Sequence, residues 1–129
     1  MDALKKTIAI VVEDDEAISD FFVQTLEAEG CEVHVARNGL EGLKMIQTEQ
    51  PAAVLLDLAL PEMDGLTVLR KLGDAPETAT IPVVVVSAYA DADDTRTVLD
   101  HSRNVRKVFT KPVRTEDLLK QVRAIVAGR

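Results

Sequence analysis

The sequence has no tryptophan, a single cysteine, and aromatic residues at only 3% of its 129 positions. With Cys31 alone, no disulfide can form within the chain, and a reducing cytoplasmic location is expected. So few rings provide no stacking platform for nucleic-acid bases. No apolar run approaches the roughly 20 residues that cross a bilayer, and the opening segment MDALKK is too polar for a secretory signal. These absences argue against a membrane-spanning or secreted protein.

The charge balance is acidic, because 15 basic and 22 acidic residues give a net charge of −7. An acidic chain repels nucleic-acid phosphates, so direct binding to nucleic acid is not expected, although the same charge also serves ordinary solubility. Apolar residues make up 47% of the chain. At this length that is enough for one core without disulfides. We expect residues 1–129 to fold as a single domain.

Five short apolar runs alternate with segments of helical spacing. The runs are rich in β-branched residues and lack polar alternation, which is typical of strands buried on both faces. The predicted strands are Ile8–Val12, Val33–Ala36, Ala52–Leu56, Val83–Val86 and Val105–Phe109. Such an alternation of strands and helices predicts an α/β fold, with a parallel sheet and helices on both of its faces.

Each predicted strand is followed by a predicted helix with an apolar stripe. Asn38 is expected to cap the second helix, with Glu41 as its reciprocal partner. The third helix is predicted over Gly65–Leu72 and the fourth over Asp91–Leu99. The stripes of the first, second and fifth helices are Ile18, Phe21, Phe22 and Leu26, then Leu40, Leu43 and Ile46, and finally Leu118, Val122, Ile125 and Val126.

Polar groups follow four of the five predicted strands. The first strand is followed by Glu13, Asp14 and Asp15, the third by Asp57, the fourth by Ser87 and the fifth by Lys111. In a parallel sheet, the carboxyl ends of the strands meet at one edge, where such folds bind their ligands. The sequence therefore predicts a cluster of carboxylates, one hydroxyl and one ammonium at this edge.

Such a cluster suits phosphoryl chemistry. Neighbouring carboxylates repel each other, and a divalent cation with oxygen ligands, such as Mg²⁺, relieves that repulsion. A carboxylate beside Mg²⁺ and a lysine could attack phosphorus and form an acyl phosphate. Mg²⁺, Lys111 and the Ser87 hydroxyl could then each hold one oxygen of the transferring group.

Each of these residues also has a purely structural interpretation. Asp15 suits the N-cap of the first helix, a strand-end serine often bonds to backbone, and a lone lysine usually lies at the surface. Asp57 is harder to explain in this way, because it ends the apolar run Val54–Leu56, where an unpaired charge is costly. The coincidence of these groups at four strand ends favours a functional site.

Four segments, taken in order, resemble the receiver domains of bacterial two-component response regulators. The segment Leu56–Gly65, LDLALPEMDG, resembles the D-L-x-L-P-x-M-D-G signature of that family, and it is the most specific of the four. The other three are VVEDD at Val11–Asp15, VSA at Val86–Ala88 and TKP at Thr110–Pro112. The resemblance covers the chain from Ile8 to about Val126.

The resemblance implies a flavodoxin-like, doubly wound sheet with strand order 2-1-3-4-5. It further implies that Asp57 accepts a phosphoryl group from a sensor histidine kinase or a phosphotransfer protein. Its implied Mg²⁺ ligands are Glu13 (through water), Asp14, Asp57 and the backbone carbonyl of Ala59. Lys111 and Ser87 would contact the phosphoryl group, and the Lys111–Pro112 peptide bond would be cis.

The resemblance implies a signalling module rather than a conventional enzyme. Phosphorylation would change the surface formed by the fourth helix, fifth strand and fifth helix, which would then bind an effector or a second copy of the chain. One alternative is a scaffold that works without phosphorylation. Another is a phosphohydrolase of the haloacid-dehalogenase type, which would need a second acid where this chain has Ala59.

Some positions depart from the family pattern. The family usually has Tyr or Phe three positions before the strand-five lysine, where this chain has Val108, and Phe109 should face the other side of the sheet. Tyr89 is a candidate to replace this aromatic residue in switching. The usual Gly-Ala turn before strand five is missing, and Asp91, Asp93 and Asp94 are interpreted as a solvated helix start. His34 and His101 are predicted to lie at the surface, and Cys31, placed before strand two, is assigned no chemistry.

Overall fold

The computed structural model describes residues 7–90 and 92–127, with the backbone alone for Asp93 and Asp94. Strands and helices alternate along the described chain. The strands are β1 (Thr7–Val12), β2 (Cys31–Ala36), β3 (Ala53–Leu56), β4 (Val83–Ser87) and β5 (Val105–Thr110). The helices are α1 (Glu16–Glu27), α2 (Gly39–Glu49), α3 (Gly65–Asp74), α4 (Asp93–Asp100) and α5 (Thr115–Ala127).

The strands form one sheet in the order β2-β1-β3-β4-β5, and every neighbouring pair is parallel. The predicted α/β class and strand order are therefore confirmed. β1 and β3 lie inside the sheet. The last four residues of β1 and all four residues of β3 are buried. Two buried neighbours explain why their sequences are continuously apolar instead of alternating. No helix within the described ranges is long and apolar enough to cross a membrane.

Successive strand residues point to opposite faces of the sheet and so form two core layers. In β1, Ile10 and Val12 pack on one face, with buried residues of α2, α3 and α4. Ala9 and Val11 pack on the other, with buried residues of α1 and α5. Helices therefore cover both faces, as predicted, and the turns at the carboxyl ends of the strands are left at the edge.

Side-chain caps fix where three helices begin. Asp15 Oδ1 accepts a hydrogen bond from the backbone N–H of Ile18 at 2.9 Å, and Asn38 Oδ1 accepts one from Glu41 at 2.8 Å. Both predicted caps are confirmed. Asp64 caps α3 in the same way, through the N–H of Thr67 at 2.9 Å. Asp15 and Asp64 therefore serve as helix caps, and their carboxylates are not part of the cluster at the strand ends.

Some expectations need correction. The fourth helix begins at Asp93, and Asp91 and the side chains of Asp93 and Asp94 lie outside the described residues. Cys31 is the buried first residue of β2 rather than a residue before it. Helical spacing predicts Phe21 and Leu40 on apolar stripes, but each is 39% exposed, because both lie at the margin of the buried helix face.

A bulge changes the direction of side chains in β5. Val83 pairs with Val105, but Val84 pairs with Lys107, so Arg106 is an extra residue in the ladder. As a result Val108 packs on the same face as Val105, with α2, α3 and α4, while Phe109 packs on the opposite face. The predicted opposite orientation of Phe109 is confirmed.

Asn104 occupies the turn before β5. Its side chain is fully buried, and its Nδ2 donates hydrogen bonds to the carbonyls of Thr78 at 2.8 Å and Ile81 at 3.0 Å. The backbone carbonyl of Asn104 accepts a hydrogen bond from the backbone N–H of Val83 at 2.9 Å. An amide side chain thus joins the start of β5 to the segment before β4.

Candidate functional site

The backbone brings the ends of β1, β3, β4 and β5 to one edge of the sheet. The N–H of Asp57 donates to the carbonyl of Val12 at 3.0 Å, which places Asp57 beside the end of β1. The N–H of Lys111 donates to the carbonyl of Ser87 at 3.1 Å, which does the same for β5 and β4. The polar residues predicted at four strand ends therefore occupy one region.

Lys111 joins two of the acidic residues. Its Nζ lies 2.7 Å from Glu13 Oε1 and 3.1 Å from Asp57 Oδ2. Glu13 is 1% exposed and Asp57 is 7% exposed. Buried charges are costly unless they are paired and hydrogen-bonded, and the Lys111 ammonium supplies both for two carboxylates. Lys111 is thus a member of the site rather than a surface lysine.

Asp14 completes an acidic cluster. One carboxylate oxygen from each of Glu13, Asp14 and Asp57 lies within 4.8 Å of the others. Asp14 is exposed, while the other two are buried, so the cluster opens to solvent on the Asp14 side. With one ammonium and three carboxylates, the site has a formal charge of −2, which matches a divalent cation. An all-oxygen donor set favours a hard cation such as Mg²⁺.

Burial and pairing shift the ionisation of the site in opposite ways. Burial raises the pKa of the Glu13 carboxyl above its usual value, against the lowering effect of the Lys111 hydrogen bond. Burial alone would lower the pKa of Lys111, but its hydrogen bonds to Glu13 and Asp57 and their charges outweigh burial and raise that pKa. Lys111 therefore remains a cation, which lets it neutralise an anionic oxygen.

The loop after β3 holds Asp57 in place. The N–H of Ala59 contacts Asp57 Oδ1 at 3.3 Å, and the N–H of Gly65 donates to the carbonyl of Leu58 at 2.8 Å. A Cβ on Gly65 would lie 2.5 Å from the carbonyl oxygen of Asp57 and 2.6 Å from the Cα of Leu58. Only glycine lets the start of α3 approach Asp57 so closely.

The same loop packs against the start of α2. A Cβ on Gly39 would lie within bonding distance of the carbonyl oxygen of Met63, and the Gly39 N–H donates to Pro61 at 3.3 Å. Glu62, between Pro61 and Met63, has φ +68°. The Met63 N–H donates a hydrogen bond to the Pro61 carbonyl at 2.8 Å. This tight turn is a γ-turn with positive φ, which is rare and strained. The sequence signature around Asp57 thus specifies loop geometry as well as chemistry.

Ser87 ends β4 and is fully buried. Its Oγ accepts a hydrogen bond from the backbone N–H of Tyr89 at 3.3 Å, so the hydroxyl is tied to the loop that leads into α4. The Tyr89 ring is 63% exposed. The Lys111–Pro112 peptide bond is cis.

Sequence reasoning missed two further features, one on β2 and one beside Lys111. His34 lies between two carboxylates, with Nε2 at 2.7 Å from Glu32 and Nδ1 at 2.9 Å from Glu49, so it joins β2 to the end of α2. Glu32 stands two residues away on the same strand face, which was a readable signal, whereas Glu49 comes from another element. Beside Lys111, the exposed Phe21 lines an apolar hollow of about 410 Å³ with Pro112 and Val113.

The chain is an α/β protein in which a parallel sheet carries a cluster of carboxylates and one lysine at the carboxyl ends of its strands. A family model described as the response regulator receiver domain matches residues 9–123. The chain belongs to the response regulator receiver domain family.

Individual relatives agree with this assignment. The chain is 35% identical over 117 residues to a DNA-binding dual master transcriptional regulator, RpaA, of Synechocystis sp., and the match covers 91% of this chain and 48% of the relative. The chain thus spans about half the length of that relative.

Solved structures give the same answer. A CheY-like response regulator receiver domain protein from Methanospirillum hungatei superposes with a TM-score of 0.84 at 30% identity, covering 96% of both chains. The Mn²⁺-bound form of the response regulator Rcp1 superposes with a TM-score of 0.74 at 30% identity, covering 92% of this chain and 91% of that one.

Proposed function

We propose that this chain is a phosphorylation-controlled signalling module in which Asp57 accepts a phosphoryl group from a sensor histidine kinase or a phosphotransfer protein. One observation carries the proposal: the buried Asp57 carboxylate lies at the end of β3, 3.1 Å from the Lys111 ammonium and within the acidic cluster. Membership of the receiver family supports the same role.

The transfer step needs few groups from this chain. An oxygen of the Asp57 carboxylate attacks the phosphorus, the P–N bond to the donor histidine breaks, and its electron pair stays on the imidazole nitrogen. No general base is required, because the nucleophile is a carboxylate. The Lys111 ammonium and the Ser87 hydroxyl would then hold two oxygens of the phosphoryl group.

A divalent cation fits the remaining charge. Glu13 (through water), Asp14, Asp57 and the carbonyl of Ala59 would hold Mg²⁺, whose positive charge would neutralise the phosphoryl oxygens. The formal charge of −2 at the site and the exposure of Asp14 support this assignment, as does the Mn²⁺-bound relative. The same residues could support the chain's own phosphorylation by small donors and its dephosphorylation.

The signal would leave the site through Ser87. The phosphoryl group would draw the Ser87 hydroxyl towards it and so move the loop that leads to α4, since Tyr89 is bonded to that hydroxyl. The surface of α4, β5 and α5 would then bind an effector or a second copy. Position 108 holds a valine, which packs in the core layer shared with α2, α3 and α4. The proposed route therefore needs no aromatic side chain at position 108.

The test is labelling with a small acyl-phosphate donor in the presence of Mg²⁺. The wild-type chain should take up one phosphoryl group per molecule, in a form stable to acid and labile to alkali. Asp57→Asn should take up none, because the amide is not a nucleophile. Asp20→Asn, the same change on the exposed surface of α1, should label like the wild type.

Other results would exclude the proposal. Equal labelling of Asp57→Asn would show that another residue accepts the group. Absence of labelling in a wild-type chain that binds Mg²⁺ would favour the scaffold alternative. Repeated turnover of a phosphate ester without any kinase would favour the phosphohydrolase.

A further inference from the structure

A groove of about 440 Å³ lies between α3 and the C-terminal end of α4, on the face of the sheet that these helices share. Leu69 and Gly73 line it from α3, and Val98 lines it from α4. Val98 is 41% exposed. Gly73 contributes no side chain, which leaves the space between the two helices open. Leu69 is 2% exposed and forms the floor of the groove, so Val98 supplies its exposed apolar side chain, away from the acidic cluster.

The groove also carries positive charge. Arg70 from α3 and Arg103 from the turn after α4 line it, together with His101 and a single acid, Asp74. The ion pairs found among the described residues include neither of these arginines. The chain as a whole has a net charge of −7. The groove is thus a local excess of positive charge on an acidic protein, which favours an anionic occupant.

α4 is weakly held by the protein itself. It has eight residues, and its N-cap Ala92 makes no side-chain hydrogen bond to the helix. Leu99 is the one buried side chain among those described in this helix. An isolated helix of this length is unstable without tertiary contacts. Apolar contacts to Val98 from a partner would add to the few that hold α4.

We propose that this groove binds an acidic peptide segment of a partner protein. An apolar side chain of the segment would lie between Leu69 and Val98, and its carboxylates would face Arg70 and Arg103. This combination of an apolar anchor and a charged rim is how many peptide-binding grooves achieve both affinity and orientation.

Charge favours this occupant over two others. A nucleic acid carries its negative charge along its whole length and would be repelled by a chain of net charge −7 beyond the groove. A second copy would bring another −7 to the interface. A short peptide places its carboxylates at the arginines and lies over less of the remaining acidic surface than a nucleic acid or a second copy would.

The groove is connected to the phosphorylation site through both of its walls. α3 follows the loop that begins at Asp57, and α4 follows the loop that begins at Ser87. This coupling rests on the proposed function: a phosphoryl group that moves the Ser87 loop would change the distance between the walls. By linkage, the peptide would in turn change the stability of the phosphorylated state.

The experiment measures binding by the fluorescence anisotropy of a labelled twelve-residue peptide in which Glu and Leu alternate. Val98→Glu and Arg103→Glu should each weaken binding at least about tenfold, since each places a negative charge in the groove. Lys120→Glu makes the same charge reversal as Arg103→Glu, but on α5, which covers the other face of the sheet. This control should change the peptide affinity less than about twofold. Val98, Arg103 and Lys120 are exposed, and circular dichroism would check that each variant is folded.

Peptide controls define the chemistry. Replacing every Glu of the peptide by Lys, or every Leu by Ser, should abolish binding. Equal weakening by Lys120→Glu, or full competition by a short DNA duplex, would overturn the proposal in favour of non-specific attraction. No binding by the wild type would overturn it directly. Concentration-dependent dimerisation that Val98→Glu removes would make a second copy the occupant instead.

The coupling is tested separately, so that its failure can be told from failure at Asp57. Binding is measured first without a phosphodonor and then with Mg²⁺ and beryllium trifluoride, an acyl-phosphate mimic. We expect the affinity to change at least about fivefold in the wild type and not in Asp57→Asn. An unchanged affinity in a wild-type chain that does bind the mimic would overturn the coupling while leaving Asp57 as its acceptor.

Discussion

At the scale of single residues, Lys111 sets the charge balance of the site. Its ammonium contacts two carboxylates that follow two different strands, and one of them, Glu13, is almost fully buried. The position of Lys111 after β5 was predictable from the sequence, because parallel strands end at a common edge. Its contact with Glu13 was not, because that contact depends on side-chain lengths and on how far β1 and β5 lie apart.

Lys111→Met should destabilise the chain in the absence of divalent cations. The change leaves Glu13 and Asp57 without their cation, which we expect to lower the free energy of unfolding by about 1–3 kcal/mol. It also changes the formal charge of the site from −2 to −3, so Mg²⁺ should stabilise the variant more than the wild type. Urea unfolding with and without Mg²⁺ measures both effects.

Lys120→Met is the matched control, because Lys120 is exposed on α5. Its stability and its response to Mg²⁺ should equal those of the wild type. A Lys111→Met chain as stable as the wild type without metal would show that the lysine does not hold the carboxylates.

His34 contributes a second residue-scale effect, on pH dependence. The hydrogen bond to Glu32 raises the pKa of His34 above its usual value, burial opposes this rise, and the charges of Glu49 and Glu32 add to it. A raised pKa in the folded state means that the contribution to stability is complete below the unfolded pKa and is lost as pH rises through the folded pKa.

We therefore expect the wild type to lose stability relative to His34→Gln as the pH rises from about 6 to about 8.5, by up to about 1 kcal/mol. Urea midpoints across this range measure the difference. His101→Gln is the control, since in the described part of the chain no ion pair involves His101. A constant difference between wild type and His34→Gln would contradict the ionic role of His34.

At the scale of elements, the loop between β3 and α3 carries most of the site's geometry. Its cap, its positive-φ turn and its close glycine contacts all lie in the segment Asp57–Gly65. The position of Asp57 at the end of β3 could be anticipated from the sequence, because the signature there is specific, whereas the cap, the turn and the glycine contacts depend on how the loop packs. The bulge in β5 could not be anticipated either, since a ladder shift depends on pairing with β4 and leaves no mark in the order of apolar residues.

Gly65→Ala should lower the free energy of unfolding by about 1–3 kcal/mol, because the new Cβ would displace the backbone of Asp57 and Leu58. It should also slow phosphorylation of Asp57 by a small donor. Gly73→Ala, in the same helix, is the control. Its Cβ would meet only Asn104 Oδ1 at 3.6 Å, so the substitution should be neutral or stabilise by up to about 1 kcal/mol. Urea unfolding of the two variants decides, and equal stability would contradict the close approach at Gly65.

At the scale of the whole molecule, the sequence predicted the fold because its apolar runs are continuous and its helices are marked by caps. Five such runs admit few arrangements, and right-handed crossovers reduce them further. The exposure of Phe21 and Leu40 could not be predicted, because helical spacing identifies a stripe but not its margin. The pair between His34 and Glu49 and the groove beside Val98 were also unpredictable, since each requires elements that are distant in sequence.

The most direct measurement locates the phosphoryl group itself. The chain is phosphorylated with a small acyl-phosphate donor and Mg²⁺, then treated with borohydride, which reduces an aspartyl phosphate to homoserine, and its peptides are mapped by mass spectrometry. We expect homoserine in place of Asp57 alone, with Asp14 and Glu13 unchanged. Homoserine at Asp14 instead, or phosphate that is retained with no reducible aspartate, would contradict the role of Asp57 as the acceptor.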